Sequence, residues 1–393
     1  MALQFASRMD GLKGSAIREL LKIADKPDVI SFAGGFPAPE LFPVEGLEIV
    51  SKKVLEEDGR KALQYSSTEG FLPLREHISK LMEPQSLKAD PDQILVTAGS
   101  QQGLDFCAKL FVNPGDVVIT ESPSYLGALN AFKAYEPKFV EVEMDEEGML
   151  MDKLEEALKT NGNVKFIYTI PDFQNPTGRT MTIERRKKLV ELANAYDVCV
   201  VEDNPYGSLR FEGEIHPAIK SFDTEDRVIY LGTMSKIFCP GMRIGWIYAA
   251  PAILNKFNLI KQGADLQCST IAQRECAAFF DMYDINEHIK KIIDVYRRRR
   301  DVMVNAMKQY FPKNVSYTYP NGGLFLWVTL PEGMDSTDVF KKAMDKKVAF
   351  VAGEPFYPNG GNANHFRMNY SAMPDEKIIE GVKRLGEVLN ELC

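Results

Sequence analysis

The stretch TMSKIFCPGMRIGW (233–246) sets Lys236 and Arg243 directly after the apolar run VIYLG. A lysine leaving a buried strand is poorly placed for solubility and well placed for chemistry. Further upstream, VVEDNPY puts Asp203 at the end of an almost wholly apolar strand, with Tyr206 three residues on. A carboxylate there needs a cationic or N–H partner to stay ionised. In YTIPDFQNPTG, Asn175 precedes Pro176, where the backbone is extended and then turns. ILVTAG runs into Ser100 and Gln101, where a helical pattern begins. The amino end of a helix offers free N–H groups and a positive dipole to an anion. Taken singly, each feature has an ordinary reading as an N-cap, a turn cap or a core residue.

Together they point to one chemistry. A pyridoxal phosphate enzyme needs a lysine for covalent attachment and an acid that keeps the pyridine nitrogen protonated. It also needs donors to the phenolic oxygen and an anion cradle for the phosphate. Lys236, Asp203, Asn175 with Tyr206, and Ser100 and Gln101 with Thr233, Ser235 and Arg243 would supply all four. Asn175 precedes Asp203 by 28 residues and Asp203 precedes Lys236 by 33, each about one step of a sheet.

The elements that must position these groups are legible as alternating patterns. Strand-like runs (DQILVTAG, DVVITESP, VKFIYTIP, VCVVEDNP, RVIYLGTM, IGWIYAA) alternate with helical ones such as TIERRKKLVELANAYD. That alternation predicts parallel βαβ units, an α/β fold whose ligand residues gather at the carboxyl ends of the strands. After about residue 285 a long basic helix and shorter strands predict a smaller α+β domain. The RRRR run at 297–300 reads as a solvated or ion-paired helix face rather than a nucleic-acid patch.

Composition narrows the class. The chain has 393 residues, 45% hydrophobic and 26% charged, with a formal net charge of -8. That offers no broad basic field to nucleic acid or anionic membrane. No apolar stretch reaches the length of a membrane span, and the start lacks the apolar core of a secretory signal. Six cysteines without CxxC spacing read as reduced residues of a cytoplasmic protein, and four scattered histidines predict no metal site.

The sequence resembles the fold-type I, class I/II aminotransferases along essentially its whole length, most of all the 2-aminoadipate and kynurenine aminotransferase subgroup. The marks are SFAGGFPAPELFP (31–43), LQYSSTEGFLPLRE (63–76), TAGSQQGLD (97–105), PSYLGAL (123–129), PDFQNPTGR (171–179), VEDNPYGSLRFEG (201–213), TMSKIFCPGMRIGW and FRMNYS (366–371). The resemblance implies a large domain (45–285) with a mainly parallel seven-stranded sheet. The remainder would be a small α+β domain (286–393) joined by an N-terminal segment (1–44) that covers the site. It also implies that Lys236 carries the cofactor aldimine, that Asp203 faces the pyridine nitrogen and that Asn175 and Tyr206 bond the phenolic oxygen. Tyr125 would stack on the ring, and Ser100, Gln101, Thr233, Ser235 and Arg243 would hold the phosphate. The family often has serine where this chain has Thr233, and the hydroxyl is retained. Tyr65 would reach the phosphate of the other subunit in a homodimer with shared sites. Arg367 would bind the substrate α-carboxylate, with Asn175 and the glycine pair at Gly35 close by.

The expected reaction is ping-pong transfer of an amino group from an L-amino acid to 2-oxoglutarate. The segment GSAIRELLKIADKP (14–27) reads as a helix over the site, with Arg18 where 2-aminoadipate enzymes bind the distal carboxylate. Donors like 2-aminoadipate or glutamate are therefore favoured, with branched-chain and aromatic donors open. Alternatives on the same scaffold are a β-lyase or a decarboxylase. A transcriptional regulator with an aminotransferase-like domain is disfavoured, because the motifs begin near residue 30 and the chain is acidic.

Overall fold

The computed structural model describes residues 3–9 and 28–393. Arg18 and the helix expected at 14–27 lie outside the described residues. Numbered among the described residues, strand β1 (Ile30–Ser31) is followed by helices α1 (Val44–Ala62) and α2 (Leu72–Met82). Then strands and helices alternate: β2 (Ile94–Thr97), α3 (Ser100–Phe111), β3 (Val117–Ser122), α4 (Leu126–Lys133), β4 (Lys138–Asp145), β5 (Gly148–Met149), α5 (Met151–Thr160), β6 (Val164–Thr169), α6 (Ile183–Ala195) and β7 (Cys199–Asp203). Strands β8 (Val228–Thr233) and β9 (Gly245–Tyr248) complete the large sheet, and α7 (Pro251–Ala264) and α8 (Thr270–Met282) follow.

That sheet has the order β2-β9-β8-β7-β6-β3-β4-β5. The pairs β8–β7, β7–β6, β6–β3 and β3–β4 are parallel, while β9 runs against both β2 and β8. The sequence predicts seven strands; the eighth is the two-residue β5, which folds back on the end of β4 around Glu146 and Glu147. Both faces are covered, so the central strands are buried almost throughout, which explains their near-continuous apolar runs. Strand alternation sorts their side chains. Val117, Ile119, Ile167, Val200 and Val228 join a core with α5 and α6, whereas Val118, Phe166, Tyr168, Val201, Ile229 and Leu231 face the main core. Asp203 and Thr233 continue the second parity, two residues beyond Val201 and Leu231.

The remaining elements are α9 (Ile285–Tyr310), β10 (Ser316–Tyr317), β11 (Phe325–Thr329), α10 (Ser336–Asp345), β12 (Val348–Ala349), β13 (Val351–Ala352), β14 (His365–Asn369) and α11 (Asp375–Leu392). Four of these strands form an antiparallel sheet, β10-β11-β14-β13, and β1 pairs in parallel with β12. The 26-residue α9 is capped by Asp284, whose carboxylate accepts from Asn286 N, and packs along α11. Its arginine run is ion-paired: Arg297 with Asp294, Arg298 with Asp375, Arg299 with Glu40 and Arg300 with Glu212. Arg299 and Arg300 are buried, the latter also donating to Pro320 O at 2.6 Å.

No described helix is long and apolar enough to cross a membrane, and no described cluster of His, Cys, Asp and Glu is arranged to hold a metal.

Candidate active site

The carboxyl ends of β2, β3, β6, β7 and β8 open on one edge of the sheet, and the loops leaving them wall a cavity of 1330 Å³. Because β9 is antiparallel to its neighbours, its amino end meets the same edge, with Gly245 opposite both Thr97 and Thr233. A Cβ on Gly245 would lie 2.6 Å from the backbone N of Ser100. Glycine there lets the loop after β2 come down onto the sheet, which places the start of α3 at the cavity wall. Gly99 caps that helix with φ of +83°, where a Cβ would meet the Arg243 guanidinium at 2.6 Å.

Twelve of the residues singled out in the sequence line this cavity: Gly35, Ser100, Gln101, Tyr125, Asn175, Asp203, Tyr206, Thr233, Ser235, Lys236, Arg243 and Arg367. Tyr65 does not; it stands exposed before α2. At one end, Ser100 and Gln101 open α3, whose first amides have no intrahelical acceptor. Thr233 Oγ1 lies 3.0 Å from Ser235 Oγ and accepts from Ser235 N at 3.1 Å. Arg243, itself in a left-handed conformation, donates to Ala98 O at 2.9 Å, so one cation and four polar side chains meet the helix dipole at this end.

Lys236 Nζ reaches across to donate to Gly35 O at 2.8 Å. Burial pushes its ammonium down to about 8, and the positive charges of Arg367 and Arg243 act in the same direction. Asp203 is buried and accepts from Tyr168 Oη at 3.0 Å through Oδ2, while Oδ1 has no hydrogen-bond partner. Desolvation raises its carboxyl to about 7 against the lowering effect of Tyr168. Among the described residues no cation contributes to Asp203, so the site contains a buried acceptor that needs a donor, preferably a charged one.

Arg367 comes from β14, on the far side of the cavity. It donates to Asn175 Oδ1 at 2.8 Å and to Ala33 O at 2.7 Å, lies over the rings of Phe325 (4.1 Å) and Phe356 (5.3 Å), and leaves Nε without a partner. Burial lowers it to about 10, so it stays cationic at neutral pH. A guanidinium only donates, so its bond fixes the Asn175 amide with oxygen toward Arg367 and turns the NH2 to donate, with the Tyr206 hydroxyl as a neighbouring acceptor. Burial also raises the Tyr125 and Tyr206 hydroxyls, keeping both neutral.

Sequence reasoning missed four contributors. Tyr168 holds Asp203, and Phe325 and Phe356 sandwich Arg367. Gln174 braces the turn that carries Asn175: it donates to Pro123 O at 2.9 Å and to buried Glu121 at 3.0 Å, and accepts from Thr177 N at 3.0 Å. The sequence signal for Gln174 was its place next to Asn175; for Tyr168 and Phe325 it lies in strand pairing, which sequence does not state, and for Phe356 in the 3-10 turn Glu354–Phe356.

Residues 41–385 match the family described as aminotransferase class I and II. The aromatic-amino-acid aminotransferase 1 of Thermococcus litoralis is 48% identical over 98% of this chain and 94% of its own length. The 2-aminoadipate transaminase of Thermus thermophilus is 40% identical, over 97% of this chain and 95% of its own. Among solved structures, the Pyrococcus horikoshii kynurenine aminotransferase, crystallised with PMP and kynurenine, superposes with a TM-score of 0.95 at 44% identity, covering 99% of this chain and 97% of that one.

Proposed function

The chain belongs to the class I and II aminotransferases and is a transaminase acting on amino and 2-oxo acids; on that premise we propose that it uses pyridoxal 5'-phosphate in the cavity at the sheet edge. The observation that carries the cofactor assignment is the unpartnered Oδ1 of buried Asp203, in the same cavity as an amine lowered to about 8. That pair fits a ring nitrogen that must remain protonated and an aldehyde that must be attacked. When bound, the cofactor supplies that aldehyde and an electron sink for the Cα–H bond of the substrate.

The chain's own residues divide the rest. Ser100, Gln101, Thr233, Ser235 and Arg243 grip the phosphate, and Tyr125 lies against the ring. Asn175 would donate from its NH2 to the phenolic oxygen, joined by the Tyr206 hydroxyl. Arg367 takes the substrate α-carboxylate with a fork already oriented by Asn175, Ala33 and Phe325. Lys236 would hold the cofactor covalently, and its free amine would take the proton from the substrate Cα. At neutral pH an amine with a pKa near 8 is roughly one-tenth in its basic form, a useful compromise between availability and proton affinity. The Phe325 and Phe356 rings exclude water from the carboxylate pair and so strengthen it.

The substrate side chain is proposed to be acidic, as in 2-aminoadipate or glutamate, with aromatic and branched-chain donors accepted and 2-oxoglutarate as acceptor. A cavity of 1330 Å³ with Phe36, Phe356 and Tyr357 in its wall has room for large apolar groups. Arg18 is the proposed partner for a distal carboxylate. A homodimer in the cytoplasm is part of the same reading. Tyr65, exposed in one chain, would complete the partner's phosphate grip, and the six unpaired cysteines suit a reducing compartment. The proposed division is a cofactor domain at 45–285 and a smaller one at 286–393, to which 1–44 is tied by the β1–β12 pair.

The test is spectroscopic. Purified protein given pyridoxal phosphate should develop a visible band that bleaches on adding one donor class and returns with 2-oxoglutarate. Lys236→Ala should bind cofactor without turnover. Near-normal turnover by that variant without added amine would overturn the assignment, and bleaching by leucine or phenylalanine but never by 2-aminoadipate would overturn the role of Arg18.

A further inference from the structure

We infer that Tyr168 is a positioning residue for the cofactor, holding Asp203 ionised and turned so that its second oxygen faces the ring nitrogen. The inference rests on the cofactor assignment above and extends it to a residue outside the cavity lining.

The argument begins with strand register. Tyr168 on β6 pairs with Val201 on β7, so Tyr168, Val201 and Asp203 project from the same face of the sheet. The phenol therefore runs along the sheet toward the next residue of that parity and donates from Oη to Asp203 Oδ2 at 3.0 Å. Tyr168 is fully buried, with its ring met edge-on by Phe132 at 5.4 Å. Held on a central strand and wedged by a second ring, the hydroxyl is a fixed donor rather than one that must be ordered when ligand arrives.

The surroundings of Asp203 make that donor important. The groups that interact with its charge are Tyr168 on β6, Glu121 on β3, Tyr230 on β8, Cys107 on α3, Tyr125 at the start of α4 and Tyr206 beyond β7. Among the described residues none is a cation. Burial disfavours the carboxylate, and among those residues the Tyr168 hydrogen bond is the influence that favours it. A carboxyl with Oδ2 occupied by a donor has one orientation in which Oδ1 remains open, and Oδ1 is the atom left without a partner. Without the phenol the carboxyl could rotate, and it would take up a proton at higher pH. Either change weakens its hold on a protonated ring nitrogen.

Tyr168→Phe removes the donor and keeps the ring, its volume and the Phe132 contact. The experiment measures cofactor retention by the visible band, from pH 5 to 9, for wild type, Tyr168→Phe and Phe132→Leu, with a melting temperature for each. A hydrogen bond to a charged group corresponds to about one pH unit or more. The pH at which Tyr168→Phe loses half its cofactor should therefore rise by about one unit, with about tenfold weaker binding at the wild-type midpoint. Phe132→Leu should lower the melting temperature and leave that midpoint in place. A Tyr168→Phe midpoint equal to that of wild type overturns the inference, as does an equal shift in Phe132→Leu. Failure of wild type to bind pyridoxal phosphate would instead strike the cofactor assignment itself.

Discussion

Substituting Arg367 by lysine keeps the charge and removes the fork, which isolates what the geometry contributes. The guanidinium is oriented by Asn175 Oδ1 at 2.8 Å, Ala33 O at 2.7 Å and the Phe325 ring at 4.1 Å. A lysine ammonium is a point charge that cannot satisfy both acceptors and still meet a carboxylate through two parallel N–H bonds. Losing one charge-assisted hydrogen bond to substrate costs about 1.5–3 kcal/mol. That lowers kcat/KM by about 10- to 150-fold at 1.36 kcal/mol per decade. Arg367→Ala also leaves the substrate carboxylate without its cation, and the cost of breaking such a buried pair is about 2–5 kcal/mol. The assay compares an L-amino acid with the amine of the same side chain lacking the carboxylate, each followed by bleaching of the cofactor band in a single half-reaction. Loss should fall on the amino acid and spare the amine. It should be flat from pH 6 to 8.5, because the arginine stays charged up to about 10. Equal losses for both compounds, or a collapse of cofactor binding, would refute the carboxylate role.

Three other perturbations test the scaffold. In the cofactor-free protein Asp203 has a carboxyl raised to about 7 from 3.8, so the folded state binds a proton that the unfolded chain has released between those values. Its contribution to stability is present below about 3.8 and is lost as pH rises through 7. Asp203→Asn should therefore melt higher than cofactor-free wild type above pH 7, by a few kcal/mol at about 1.4 kcal/mol per pH unit, with the gap closing toward pH 4; a pH-independent gap would contradict this. Gly245→Ala drives a Cβ to 2.6 Å from Ser100 N, so the amino end of α3 must move off the sheet. Phosphate-competitive binding of pyridoxal phosphate should weaken at least tenfold, by about 1.4 kcal/mol, while unchanged affinity would remove the close approach from the account. Arg300→Met deprives buried Pro320 O of its donor and breaks the Glu212 pair. Glu212 is partly exposed, so the expected loss is about 1–3 kcal/mol, read as a lower urea midpoint at unchanged slope.

How far the sequence reached follows from which information is local. Strand ends announce themselves: an apolar run that stops at Asp203, or at Thr233 before Lys236, marks both the strand and the edge it points to. That is why twelve of the residues singled out meet in one cavity although they come from several loops. Register is not local. Tyr168 sits inside VKFIYTI as an apparent core aromatic, and only its alignment with Val201 on the next strand puts its hydroxyl beside Asp203. Phe325 was hidden for the same reason, since its partner Arg367 lies on β14, paired to β11 from 40 residues away in sequence, whereas Phe356 lies in a short 3-10 turn between β13 and β14. The strand count differed where the signal was weakest: β5 is two residues long and contributes no periodicity of its own.

Burial also divides the polar residues in a way that composition cannot. The arginine run at 297–300 and the lysine at 236 are both cations next to apolar sequence. Each arginine of the run has a carboxylate from the chain as its partner, so its charge is accounted for by folding alone. Among the described residues Lys236 has only a carbonyl as hydrogen-bond partner, and Asp203 only a phenol. A buried carboxyl and a part-buried amine of opposite sign in one cavity, neither paired with the other, are costly in the free protein and are compensated by a ligand that offers a cation to one and an electrophile to the other. The fold retains that cost because strand direction fixes where each group emerges. The same geometry that makes the site expensive keeps its two charges from cancelling each other.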